Sequence, residues 1–277
     1  MVYKIGTRGS ALAIAQTKSV VEALKQQFPE DEYEIVVIKT TGDKNQTMAL
    51  DQIGAKGIFT DEIEKALLND EIQMAVHSMK DMPSEETEGF IFADAWKRED
   101  PRDVLILRDA DSLNSLPKGA VIATGSKRRE VQLKRLRPDI KTVGIRGNID
   151  TRIRKLFDPS QGLDGIVLAA AGLHRLGLQD KITSYFSVED MIPAPCQGTL
   201  AIQLREDNRE LLEKVNSLSD ADTKKATEAE RAFLASTGGN CHLPIGAYLD
   251  TETNVFYSIF GNEEGTKLDI KKQDYVG

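Results

Sequence analysis

The nine residues 75–83, AVHSMKDMP, set an ammonium beside a carboxylate, Lys80 and Asp81, where an apolar run turns polar at Ser78. A carboxylate held at such a strand end can stabilise a cation as it develops and carry protons to and from a reacting group. Charged residues ahead of a proline are equally ordinary turn material. On these residues alone a solvated turn and a reaction centre both stand.

Arginines make a second pattern. Arg8, Gly9 and Ser10 separate the strand-like YKIG from a long helical pattern. Ser126, Arg128 and Arg129 open the helix that follows VIATG. Arg146, Gly147 and Asn148 lie between TVGI and a helix carrying Arg152 and Arg154. A helix N-terminus already carries about half a positive charge, so it is the wrong end for cations. The same unpaired N–H groups make it a good anion site. Three such turns suggest several anionic groups held at once. Standing against helix dipoles, Arg128, Arg129 and Arg146 are expected to contribute nothing to stability, so leucine there should leave the melting temperature unchanged or raised.

The chemistry of the anion can be narrowed. Net charge is −8, yet residues 118–155 hold twelve lysines and arginines against three acids, a local +9. That segment has no Phe, Tyr or Trp to stack bases, so nucleic acid is not expected as a partner. No Gly-rich phosphate loop of the nucleotide-binding kinds is present. A small molecule with several carboxylates fits better, because guanidinium grips carboxylate oxygens in pairs. His77, His174 and His242 lack metal-ligand spacing, and no metal is expected. Of the two cysteines, Cys196 sits between prolines and Gln197, while Cys241 lies in the glycine-rich TGGNCHLPIG. A reactive thiol and a buried inert one both remain open for Cys241.

Such turns need strands whose carboxyl ends meet at one edge, which is where α/β folds bind ligands. The 277 residues are enough for two or three domains. Strand and helix patterns alternate to about residue 96, where WKREDPRDVLI crosses over; VEDMIPAPCQGTLAIQL makes a second, stiff crossing at Pro193 and Pro195. The expected fold is α/β in three domains: 1–98 with 199–216, then 99–198, then a small α+β domain at 217–277. The first two are expected to form a hinged pair of the periplasmic-binding-protein kind, with ligands between them. SDADTKKATEAERAFLAS reads as a helix capped by Ser219 or Asp220, and VFYSIFGNEEGTKLDIKK as a hairpin through Gly265. No apolar run is long enough to span a bilayer and the start lacks a signal-peptide layout, so a cytoplasmic protein with reduced thiols is expected.

Nine motifs then carry a resemblance: TRGSALA, KGIFTDEIEKALL, AVHSMKDMP, REDPRD, RRE-QL-RLRP, IRGNIDTR, LAAAGLHRLG, PAPCQG and GG-C-LPIGA. In this order they resemble the porphobilinogen deaminase (hydroxymethylbilane synthase) family, from residue 3 to about 260. The resemblance implies a transferase of tetrapyrrole biosynthesis, acting as a monomer, that condenses four porphobilinogen molecules head to tail and releases ammonia from each. It implies a dipyrromethane cofactor joined by a thioether to Cys241. It implies that Arg8, Ser10, Lys80, Asp81, Thr124, Ser126, Arg128, Arg129, Arg146, Gly147, Asn148 and Arg152 hold that cofactor. Substrate would meet Arg8, Gln16, Ser78, Arg146, Arg152, Arg175, Gln197 and Gly198, beneath a lid bearing Lys56 and Phe59. Asp81 and Lys80 would be catalytic, Asp81 stabilising the azafulvenium cation left when ammonia departs.

Some residues depart from the family pattern. Lys127 and Glu130 stand where many relatives have Leu and Gln, and Cys196 where small residues are common. The chain ends at Gly277, where relatives usually continue into a helix, so uncovered apolar surface is expected near Phe256 or Phe260. A hinged polycarboxylate-binding protein without turnover remains an alternative, which ammonia release would separate.

Overall fold

The computed structural model describes residues 1–40, 60–84, 87–238 and 243–276. By their contacts these residues form two compact units, Met1–Arg98 with Thr199–Lys224 and Glu99–Gly198 with Lys225–Gly277. Among the described residues no helix is long and apolar enough to cross a membrane.

The first unit is built on a five-stranded sheet. Its strands are β1 (Val2–Arg8), β2 (Glu32–Ile38), β3 (Met74–Ser78), β4 (Phe90–Phe92) and, returning from later in the chain, β10 (Leu200–Arg205), in the order β2-β1-β3-β10-β4. β1 runs parallel to β2 and β3, and β10 antiparallel to β3 and β4. Helix α1 (Ala11–Gln27) buries Gln16, Thr17, Val20, Val21 and Leu24, a stripe at helical spacing. Helix α2 (Asp61–Leu68) opens with Asp61, Glu62 and Glu64, as the helix dipole favours, and buries Ile63, Ala66 and Leu67. The α1 stripe joins Ile5, Met74, Ile202 and Leu204 of the sheet and Leu211, Leu212 and Val215 of helix α6 (Arg209–Asn216) in one core.

The second unit repeats the plan. Its strands β5 (Asp103–Leu107), β6 (Val121–Ala123), β7 (Lys141–Val143), β8 (Gly165–Ala169) and β9 (Ser184–Tyr185) lie in the order β7-β6-β8-β5-β9. β6 is parallel to β7 and β8, and β5 is antiparallel to β8 and β9. Helices α3 (Lys127–Leu136), α4 (Ile149–Phe157) and α5 (Ala170–Arg175) follow β6, β7 and β8. β8 is apolar along its whole length and β5 is apolar after its first residue, Asp103, as a sheet covered on both faces requires.

A three-stranded antiparallel sheet, β11 (Gly246–Asp250), β12 (Val255–Gly261) and β13 (Leu268–Asp274), follows helix α7 (Ala221–Ser236). Asp220 caps α7 by accepting from the Thr223 amide at 2.8 Å. Tyr257 and Ile259 of β12 pack on Val131 of α3 and on Ile192. The expectation of bare apolar surface at Phe256 is corrected: its ring is buried between Phe233 of α7 and Tyr275, with centroids 5.8 and 6.1 Å away. Phe260 is half-buried.

Candidate active site

In the first unit, parallel pairing of Ile5 with Met74 brings the carboxyl ends of β1 and β3 to one edge, and with them Arg8 and Ser78. Ser10 ends the turn after β1, and its Oγ accepts from the Ala13 amide at 3.2 Å. Buried Gln16 reaches back from α1, its Nε2 donating to Ser78 Oγ at 2.8 Å. A single 3₁₀ turn, Met79–Asp81, follows β3 and is held by the Met79 amide donating to Thr199 O at 3.0 Å. Met79 and Met82 point inward and are buried, Lys80 is half-buried, and Asp81 is exposed. Apolar anchors thus fix the turn while its charged pair remains accessible.

His77, one residue earlier, takes no such position. It is buried, and its Nε2 donates to Gln203 Oε1 at 3.1 Å while Gln203 Nε2 donates to Glu64 at 2.9 Å. Burial pushes its imidazole down to about 4, so it is neutral at neutral pH.

In the second unit the parallel strands β6, β7 and β8 send three turns to one edge. Thr124 and Ser126 lead into α3, Arg146, Gly147 and Asn148 into α4, and β8 passes directly into α5 and Arg175. Ser126 is the N-cap of α3 and accepts from the Arg129 amide, while its own amide donates to Thr124 Oγ1 at 3.1 Å. Gly147 adopts φ +107°, and a Cβ there would meet Thr151 Cγ2 at 2.7 Å. Arg152 Nε donates to the Gly147 carbonyl at 2.7 Å, so the arginine braces the turn that presents exposed Arg146 and Asn148. A pocket of about 500 Å³ opens beside these turns, lined by Thr124, Gly125, Ser126, Lys127, Glu130 and the 142–146 strand end with Arg146.

Arg128 and Arg129 depart from the expectation drawn from helix dipoles. Both are buried, and both pair with Asp103, which is fully buried at the start of β5. Arg128 Nη1 donates to Asp103 Oδ2 at 2.7 Å and to Ile192 O at 2.6 Å. Arg129 donates to Asp103 Oδ1 through Nε at 3.1 Å and Nη2 at 2.7 Å, and to Val167 O at 3.1 Å. Burial pushes the Asp103 carboxyl up, but the two guanidiniums more than offset this and hold it well below the usual carboxylate range. Taking either arginine away leaves Asp103 with one guanidinium in place of two and leaves buried acceptor oxygens without that donor. The expected neutrality of leucine at these two positions is therefore corrected.

The last group sits on the turn at 194–198. Gln197 is fully buried, with Nε2 donating to Pro101 O at 2.7 Å and Asp103 Oδ1 at 2.8 Å. The Gly198 carbonyl accepts from Arg175 Nη2 at 2.6 Å. Burial, against the opposing charge of Glu99, pulls the Arg175 guanidinium down to about 10, still protonated at neutral pH. Lys56, Phe59 and Cys241 lie outside the described residues.

Sequence reasoning missed Asp103, Gln132 and Glu230. Gln132 is fully buried and bonds Ile192 through both its amide oxygen and nitrogen. Asp103 heads the wholly apolar VLIL, and Glu230 lies one turn after Ala226 on the buried face of α7. An acid inside an apolar pattern was the available signal in both cases.

A family model described as "Porphobilinogen deaminase, dipyromethane cofactor binding domain" matches residues 3–213. The chain belongs to the porphobilinogen deaminase family. It is 56% identical over 271 residues to a porphobilinogen deaminase of Lachnospira eligens, covering 97% of this chain and 92% of that one. It is 50% identical over 273 residues to that of Clostridioides difficile, covering 98% and 90%. Among solved structures it is similar to the methionine-binding protein MetQ (TM-score 0.49, 14% identity, 86% and 96% covered) and to the periplasmic VFT2 domain of Bordetella pertussis BvgS (0.47, 16%, 83% and 92%). Porphobilinogen deaminases polymerise porphobilinogen into hydroxymethylbilane in tetrapyrrole synthesis and use a dipyrromethane cofactor.

The second unit fits that cofactor, which carries acetate and propionate groups and two pyrrole N–H donors. The pocket beside Thr124, Ser126 and Arg146 falls in the range of about 300–1,000 Å³ usual for small-molecule sites. Its donor set of hydroxyls, an exposed guanidinium and a helix N-terminus suits carboxylates.

Proposed function

We propose that this chain condenses four porphobilinogen molecules into hydroxymethylbilane with Asp81 as the catalytic carboxylate. The observation that carries the reading is the exposed Asp81 beside Lys80, on a turn anchored by buried Met79 and Met82 at the carboxyl end of β3. Once the aminomethyl nitrogen is protonated, the C–N bond breaks and its electron pair leaves with ammonia. The substrate left behind is an azafulvenium cation, with charge spread onto the pyrrole nitrogen. Asp81 faces that N–H and stabilises the charge as it develops. When the new carbon–carbon bond has formed, the same carboxylate accepts the proton whose loss restores the aromatic ring.

When bound, the dipyrromethane supplies the electron-rich pyrrole carbon that the first substrate joins. Cys241 anchors it, and Arg8, Arg128, Arg146 and Arg152 take carboxylates, with Ser10, Thr124, Ser126 and Asn148 as further donors. Arg129 acts chiefly by fixing Asp103 and Arg128. Gln16, Ser78, Arg175, Gln197 and Gly198 order the incoming substrate, and Lys56 and Phe59 cover it. We assign these roles to functional parts at 1–98 with 199–216, 99–198, and 217–277. The enzyme works as a cytoplasmic monomer, with no nucleic-acid or membrane partner.

The test is stoichiometric. Purified protein given porphobilinogen should release one ammonia per molecule consumed and yield a linear tetrapyrrole. Binding without ammonia release would make the chain a polycarboxylate-binding protein instead.

A further inference from the structure

We propose that Glu230 is a positioning residue for the turn at 194–198, holding Cys196 in the left-handed conformation that aims Gln197 and Gly198. The inference rests on the assignment of Gln197, Gly198 and Arg175 to substrate binding. The Gln197 amide donates to Ala194 O at 3.0 Å, closing a four-residue turn with Pro195 and Cys196 at its centre. Cys196 adopts φ +59°. Proline second and a left-handed residue third is the type II arrangement, whose third position wants glycine or asparagine. Among the described residues three non-glycines have positive φ: Asp70, Cys196 and Asn254. Aspartate and asparagine tolerate this region through local hydrogen bonds, whereas cysteine has no such relief and crowds its Cβ against a carbonyl.

Glu230 supplies a hold on that residue. It is fully buried on α7, and its Oε2 accepts from the Cys196 amide at 2.6 Å while Oε1 accepts from the Leu249 amide of β11 at 3.0 Å. Hydrogen bonds to a carboxylate are short and strong, most of all where water is excluded. Cys196 Sγ, 3.8 Å from Thr227 O, packs against the same helix. The consequences run straight into the site. The next residue, Gln197, reaches Asp103 and hence the Arg128–Arg129 pair, and Gly198 O receives both Arg175 and the Glu99 amide, the latter at 3.3 Å. If Cys196 leaves the left-handed region, the turn opens and Gln197 withdraws from Asp103.

Glu230→Gln, Cys196→Gly and the double variant test this. Glutamine offers one acceptor where two amides need one each. Glycine at 196 occupies positive φ at no steric cost and so needs no clamp. Glu230→Gln should lower kcat/KM for porphobilinogen about 5- to 30-fold, the factor an unsupported left-handed residue represents. The double variant should regain the activity of Cys196→Gly. In parallel, amide hydrogen exchange at Gln197 should quicken in Glu230→Gln and slow again in the double variant. That readout needs no turnover, so it tests Glu230 even if the wild type releases no ammonia, a result that would defeat the functional reading instead. Unchanged exchange at Gln197 in Glu230→Gln overturns the proposal. So does a loss that glycine at 196 leaves uncorrected, since Glu230 would then act through Leu249 and the fold alone.

Discussion

Replacing Asp103 with asparagine keeps the side chain's shape and removes the one charge that two buried guanidiniums share. Arg128 and Arg129 are each less than a tenth exposed, and Asp103 is fully buried. The amide can accept on one side only, so its NH₂ must face donors on the other, either Arg128 at the Oδ2 position or Arg129 and Gln197 Nε2 together at the Oδ1 position. Breaking a buried ionic set by removing one partner costs about 3–5 kcal/mol. In a chain of this size each kcal/mol lowers the melting temperature by about 2–4 °C, so a fall of roughly 6–20 °C is expected. Thermal unfolding followed by circular dichroism at neutral pH reads it. The pH dependence gives a second check. Because the folded carboxyl titrates below its usual value, the unfolded chain takes up the proton first as pH falls. Its contribution is complete above about pH 4 and drains away below it, so the gap between wild type and variant should narrow in acid. A fall under about 2 °C at neutral pH, which is less than 1 kcal/mol on this scale, would refute the reasoning.

Asp81→Asn should retain the wild-type melting temperature, since the carboxylate is exposed, and lose roughly 10²–10³ in kcat, the usual cost of one well-placed electrostatic stabiliser; near wild-type turnover would contradict the assignment. Arg146→Leu should leave stability unchanged, because the side chain is exposed, while enzyme bearing one to three added pyrroles accumulates and is visible by intact mass. His77, buried and pushed from 6.5 down to about 4, takes up its proton later than the unfolded chain does, so wild-type stability should fall as pH drops through that window. His77→Gln should flatten this part of the profile, and an unchanged slope in melting temperature against pH would count against the buried neutral imidazole.

The turns that hold the candidate site were legible because each is local. Apolar strand, small residue with arginine, and amphipathic helix follow one another directly along the chain at 2–27, 121–136 and 141–157. The same locality narrowed the α7 cap to Ser219 or Asp220, of which Asp220 is the one that accepts from the Thr223 amide, and gave the β12–β13 hairpin. Asp103 was not legible, because its meaning depends on β5 running antiparallel to β8, which carries it to the edge where β6 delivers Arg128 and Arg129. A charge count sees those arginines as available cations, while the fold spends much of their donor capacity on one aspartate. Glu230 was hidden for the same reason, its partners Cys196 and Leu249 lying 34 and 19 residues away. Phe256 failed as an exposure signal because Tyr275, near the chain end, folds back over it.

Tryptic mass spectrometry of the purified active enzyme tests the central claim most directly, and the chain's two cysteines make the result self-controlled. Cys196 is buried in the turn at 194–198, while Cys241 lies in the glycine-rich stretch that separates α7 from β11. A thioether survives denaturation and digestion, so a dipyrromethane should remain as added mass. The account predicts that mass on the peptide containing Cys241, its absence from the peptide containing Cys196, and its loss in Cys241→Ser. An unmodified Cys241 peptide from enzyme that turns over porphobilinogen would contradict the account, and the adduct on Cys196 would place the primer on the other thiol.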